Sequence, residues 1–176
     1  MGQVVTLSLY KPRYPSASAD LAKPECVFLI ACRWWVVAYR EQIDPLPRLC
    51  NGLALAGAPD AAFSVDALMA IVARTGQHTT DIRCPRCPGL SDDERHLLHA
   101  ARLTQTGRFD LAERSLSARL LTADGARFAV GPLEGLGVLF AEAGMFFGDG
   151  WRSAPGPGAS EHATTAACTR GAPTIH

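Results

Sequence analysis

Residues 91–116 read S-D-D-E-R-H-L-L-H-A-A-R-L-T-Q-T-G-R-F-D-L-A-E-R-S-L, and the fold turns on this stretch. Ser91 followed three residues later by Glu94 is a capping-box signature, in which each side chain accepts from the other residue's backbone N–H. Asp92 and Asp93 add negative charge beside the positive end of the helix dipole. The spacing predicts a helix from there to about Thr106, broken at Gly107. Phe109, Ala112, Leu116 and Leu120 then mark a partner helix that returns antiparallel after a short turn.

The segments upstream carry the same helical punctuation. Residues 26–42 are apolar nearly all round, which predicts a central buried helix, although their Val, Ile and Trp would also suit a strand. Asp44 and Pro45 form a cap and first-turn proline; Leu46, Leu49 and Leu53 follow at helical spacing, and Gly57 closes the helix. Pro59 opens another segment, in which Val65, Leu68, Met69 and Val72 form an amphipathic stripe ending at Gly76. Downstream, a last helix is expected from Pro132 to about Phe147, with Leu133, Leu136, Phe140, Ala143 and Phe147 on one side. Gly131, Gly135, Gly137 and Gly144 weaken it.

These elements predict a mainly α-helical protein, a compact domain of five or six short helices over residues 25–148 with disordered termini. Residues 1–24 are expected to be a disordered leader rich in Pro, Ser and Ala. Residues 149–176 are nearly without large apolar side chains after Trp151, and such a tail buries too little surface to offset its ordering entropy.

The chain has 176 residues, 48% of them hydrophobic and 19% charged, enough for one real core. Its 17 basic residues balance 17 acidic ones, so no global field draws in nucleic acid or anionic lipid, and neither is an expected partner. Every basic residue but Lys11 and Lys23 is Arg, which with abundant Ala, Gly and Pro suggests a GC-rich bacterial genome. The longest apolar run, residues 27–39, is interrupted by Arg33 and falls short of the roughly 20 residues a membrane-crossing helix needs. It is also placed too far into the chain, after a polar leader, for a secretory signal. The expected location is cytoplasmic, where most of the six Cys stay reduced.

The segment A-A-R-L-T-Q-T-G-R-F-D-L-A-E-R-S-L, residues 100–116, resembles the helical hairpin of a tetratricopeptide repeat. Ala100, Leu103, Gly107, Phe109, Ala112 and Leu116 stand where that family places its small, large, turn and aromatic residues. The resemblance covers one repeat and implies a local helix pair. Arg119 stands where the family usually has a small residue, the terminating Pro is absent, and no second copy follows; a repeat array needs several stacked units.

Potential metal or redox chemistry clusters just before this hairpin. Cys84 and Cys87 are two residues apart in C-P-R-C, a spacing at which one turn brings both sulfurs to one side. His96 and His99 project from the following helix. A structural zinc held by Cys84, Cys87, His96 and His99, with His78 as a substitute ligand, is the expected metal site. Pro88 where knuckles place Gly, the lack of a second CxxC and the short interval to His96 weigh against it, and on a helical wheel both histidines fall on a flank beside Asp92. The other chemistry open to the pair is thiol redox, although no βαβ context accompanies it.

Phosphate-loop, dinucleotide, hydrolase-elbow and zincin motifs do not occur in the chain. Trp34 and Trp35 beside Arg33 suit core packing, or else a cation-aromatic patch or interface anchor. Asp60, Asp66 and Asp81 read as solvated surface. The function expected is a non-catalytic accessory or protein-interaction module with a protein partner, stapled by zinc at the CxxC loop and otherwise without a cofactor. The alternative is a thiol-based redox or metal-sensing protein using Cys84 and Cys87.

Overall fold

Apolar residues recur at offsets of three and four along the chain, and each such run folds as a helix. The computed structural model describes Tyr14 and residues 17–148. They form six α-helices: α1 (Lys23–Glu41), α2 (Leu46–Ala54), α3 (Ala61–Thr75), α4 (Asp92–Gln105), α5 (Phe109–Ser117) and α6 (Ala123–Glu142). Among the described residues there is no strand, only isolated bridges at Ala17–Gly89 and Gly76–Leu121. The protein is mainly α-helical, as its sequence predicts.

In α1, Pro24 occupies the first turn, where its missing N–H leaves no bond unmade. Gln42 closes the helix in the left-handed region, at φ 56°. Phe28, Ala31, Cys32, Trp35 and Ala38 are buried at helical spacing, which resolves the helix-or-strand ambiguity. The helix is not buried all round, since Ile30 and Tyr39 are exposed. Asp44 starts α2 as expected, accepting from the Leu46 N–H at 3.0 Å.

The expected leader begins to be structured before residue 25. Residues 18–20 form a 3-10 turn whose Ser18 N–H donates to the Pro88 carbonyl at 2.7 Å, and α1 starts at Lys23. The partner that orders this segment is a loop some 70 residues away, which local composition does not reveal. The rest of the leader, apart from Tyr14, and residues 149–176 lie outside the described residues.

The α4–α5 pair forms the expected antiparallel hairpin. Gly107 adopts φ 72°, and the Arg108 N–H reaches back to the Leu103 carbonyl at 2.8 Å, completing the turn. Arg119, just past α5, returns to Asp93 at the start of α4.

The last helix departs from expectation. It starts nine residues before Pro132, because Thr122 caps it by accepting from the Gly125 N–H at 3.2 Å and Asp124 lies in its first turn. Pro132 is therefore interior, and the carbonyl four residues back belongs to Phe128, whose side chain is exposed. Helix α6 ends at Glu142, and Met145 and Phe147 fold back to bury. Phe147 stacks on Phe140 at 5.5 Å between ring centroids and meets Phe28 edge-on at 6.0 Å, tying this segment to α1.

Helix α6 packs along α3, α4 and α5, with Leu133, Leu136 and Phe140 fully buried in one core with Leu68, Leu97, Leu98 and Leu116. Two of its glycines lie at close approaches to neighbouring helices. A Cβ at Gly125 would overlap the Thr75 side chain, and one at Gly137 would stand 3.2 Å from the Gln105 Cα. Gln105 also bonds this end of the core, donating to the carbonyls of Gly137 and Met145 at 3.0 Å each and accepting from the Phe147 N–H at 2.7 Å.

Candidate functional site

The segment between α3 and α4, residues 76–91, has no regular structure of its own, so its backbone groups need partners elsewhere. The first turn of α4 provides them. Ser91 and Glu94 form the capping box, with bonds of 3.0 and 2.9 Å, and the Ser91 hydroxyl also donates to the Asp81 carbonyl. Glu94 additionally accepts from the Arg83 N–H at 3.1 Å, and Asp93 from the Asp81 N–H at 2.8 Å.

Arg33 enters this arrangement from the middle of α1. Its side chain is only 1% exposed. It grips Glu94 with two bonds, Nε to Oε1 at 2.7 Å and Nη2 to Oε2 at 3.0 Å. Nη1 donates to the Cys87 carbonyl at 2.7 Å and Nη2 to that of Gly89 at 2.8 Å. One guanidinium thus clamps both the cap of α4 and the C-P-R-C loop. Burial alone would lower the Arg33 pKa, but the hydrogen bonds and charge of Glu94, followed by the two nearby thiols, hold it above its ordinary value.

Asp93 is the second hub. His78 Nε2 lies 3.0 Å from it and Arg119 Nε 3.2 Å. Burial pushes its pKa up, but the Asp81 N–H, His78 and Arg119 outweigh this and hold it below the usual value. Above these hubs lies a shallow polar cleft of about 400 Å³, lined by Arg83, Asp92, Arg95 and Arg119 among others. Four of its charges pair with one another, Arg95 with Asp92 at 2.7 Å and Arg119 with Asp93, and its hydroxyl, Ser91, is committed to the cap.

The expected zinc set is not gathered. Among the described residues no three His, Cys, Asp or Glu side chains come together as a metal-holding group. His96 turns Nδ1 to the Asp92 carbonyl of its own helix at 2.7 Å, and His78 is engaged by Asp93. His99 is half-buried, and its pKa is pushed down to about 4 by burial and by the charges of Arg102, His96 and Arg108. Cys84 and Cys87 share a turn, with the Cys87 N–H donating to the Cys84 carbonyl at 3.0 Å. Both are free thiols, Cys84 exposed and Cys87 half-buried.

The tryptophans divide. Trp35 is buried, donates from Nε1 to Asp66 at 2.6 Å and stacks on Tyr39 at 5.0 Å, so Asp66 is a structural acceptor and not merely solvated surface. Asp81 likewise has its backbone tied to Asp93 and Ser91. Trp34 is half-buried over Gly52, and its cation-aromatic partner is Arg48, 5.1 Å from the ring centroid, not Arg33.

A separate feature lies on the seam between α3 and α6. Thr75 sits against Gly125, and the Ser64 Oγ would be 3.1 Å from a Cβ at Gly135, so the two helices run antiparallel in a fixed register. That register sets Ala67 and Ile71 opposite residues 128–132. On the outward side of this seam stand Phe63, 59% exposed, and Phe128, 66% exposed, with Val138 further along α6. A Cβ at Gly57 would stand 3.8 Å from that of Ala143 in the same register, so the loop of Leu55, 91% exposed, lies toward that end. Among the described residues no helix is long and apolar enough to cross a membrane. No protein-family model, curated protein or solved structure matches the chain.

Proposed function

We propose that the protein is an accessory module of the cytoplasm that binds a protein partner through the outward face of the α3–α6 seam. The observation that supports this reading is the exposure of Phe63 on α3 and of Phe128 and Val138 on α6, the two helices of this seam. Scattered apolar side chains on a surface need no explanation, but aromatic side chains that a helix pair turns outward on one face leave apolar area in water that a partner can cover. The polar cleft at the α4 cap exposes no comparable apolar area, and Arg95, Arg119, Asp92 and Asp93 there are already paired.

Site-specific photo-crosslinking in cells tests the reading. A photoreactive phenylalanine analogue at position 63 or 128 should give one discrete protein adduct common to both positions, whereas the same analogue at Glu113 on α5 should not. Absence of an adduct at both seam positions, or equal labelling at all three, would overturn it.

A further inference from the structure

The C-P-R-C loop carries chemistry that the binding reading does not use, and the following inference stands independently of it. We infer that Cys84 and Cys87 form a thiol–disulfide exchange site, with Cys84 as the attacking sulfur and Cys87 as the resolving one, whose substrate is a solvent-accessible disulfide.

The geometry carries this in three steps. The hydrogen bond from the Cys87 N–H to the Cys84 carbonyl, 3.0 Å, closes a four-residue turn. Such turns hold their end Cα atoms within about 7 Å, which overlaps the span of about 4.4–6.8 Å that a disulfide bridges. The backbone span of the turn is thus compatible with a closed bond. The turn is also held from behind, because Arg33 grips the carbonyls of Cys87 and Gly89 and Ser18 grips that of Pro88 from both its N–H and its hydroxyl. The same backbone thus serves the reduced and the oxidised pair.

Accessibility then assigns the roles. Among the described cysteines only Cys84 is exposed. Cys32 is buried in the core, and burial pushes its thiol pKa up. Cys26 is raised by burial and by Glu25, and its sulfur is turned onto the Ser18 and Leu21 carbonyls. Helix α4 begins at Asp92, beyond both thiols, so the turn and not a helix end holds the pair. Among the described residues no third ligand joins the pair to make a zinc site.

The reaction balances as a two-electron exchange. The Cys84 thiolate attacks one sulfur of the substrate disulfide, forming a mixed disulfide and releasing one substrate thiolate. The Cys87 thiol loses its proton and attacks the Cys84 sulfur, forming the Cys84–Cys87 disulfide and releasing the second thiolate. The substrate disulfide is reduced to two thiols and the protein dithiol is oxidised.

The test uses the full reduced chain with glutathione disulfide as the probe, followed by intact-mass and peptide mapping after thiol alkylation. The wild type should release two glutathione thiols per chain and yield the Cys84–Cys87 disulfide with the other cysteines still alkylatable. Cys87→Ser should stop at one glutathione bound to Cys84, and Cys84→Ser should react at least about tenfold more slowly. Circular dichroism should be unchanged in both variants, which separates lost chemistry from lost folding. A Cys84→Ser variant as reactive as the wild type, a bond that includes any other cysteine, or a stable mixed disulfide on the wild type would overturn the assignment.

Discussion

Arg33 has a hydrogen-bonding duty at each face of its guanidinium, and removing it exposes what each was holding. Arg33→Met would leave the Glu94 carboxylate buried without its cation and strip the donors from the Cys87 and Gly89 carbonyls. Breaking a buried pair from one side costs about 3–5 kcal/mol, so the unfolding free energy from urea titration should fall by an amount of that order, with helix α1 otherwise well formed. His99 makes a pH prediction. Its folded pKa, about 4, lies below the ordinary 6.5, because burial and then neighbouring cations disfavour the imidazolium. As pH falls from 6.5 toward 4 the unfolded chain takes up this proton and the folded chain does not, so acid draws the equilibrium toward unfolding. Stability should decline across that window, and His99→Gln should flatten the slope; an NMR titration of the His99 ring with an ordinary midpoint would contradict this.

Helix α6 shows why glycine count alone misjudges an element. Gly131 faces open space, whereas Gly125 meets Thr75. Gly131→Ala should therefore stabilise the protein by about 0.5–1 kcal/mol through helix propensity. Gly125→Ala should destabilise it by about 1–3 kcal/mol through overpacking. Thermal melts of the two variants should move in opposite directions. The caps divide in the same way between local and distant causes. Ser91 with Glu94, and Gly107 with its positive φ, are complete within a few residues and were readable from the sequence. The start of α6 was misplaced because Pro132 looked like a first-turn proline, while the working cap was Thr122, a residue with no capping-box partner three positions on. Whether Pro132 sits at a helix start or within one depends on the solvent beside Phe128, and that is a tertiary fact.

Over the whole molecule, helical class was legible because periodicity is local, and the hubs were not, because they join distant residues. Glu94 reads in sequence as the second half of a capping box; that it also receives Arg33, 61 positions away, has no linear signature. The C-P-R-C pair was singled out by its spacing, whereas its relation to His96 and His99 depended on a fold that turns those side chains elsewhere. Because the described residues gather no metal-holding group, dialysis against a chelator should leave the melting temperature unchanged. A fall of several degrees, restored by zinc, would show the opposite.

The clamp from α1 to the α4 cap also sets a timetable. During synthesis Arg33 leaves the ribosome long before Glu94, and until residues 87–94 emerge its guanidinium has no place in an apolar interior. Helix α1 can form early but cannot dock, so the first half of the chain waits as loose helices for the second. Nascent chains arrested with about 90 residues exposed should be cut readily by protease, and those extended past α6 should resist, since domains gain protection only when their cooperative unit is complete.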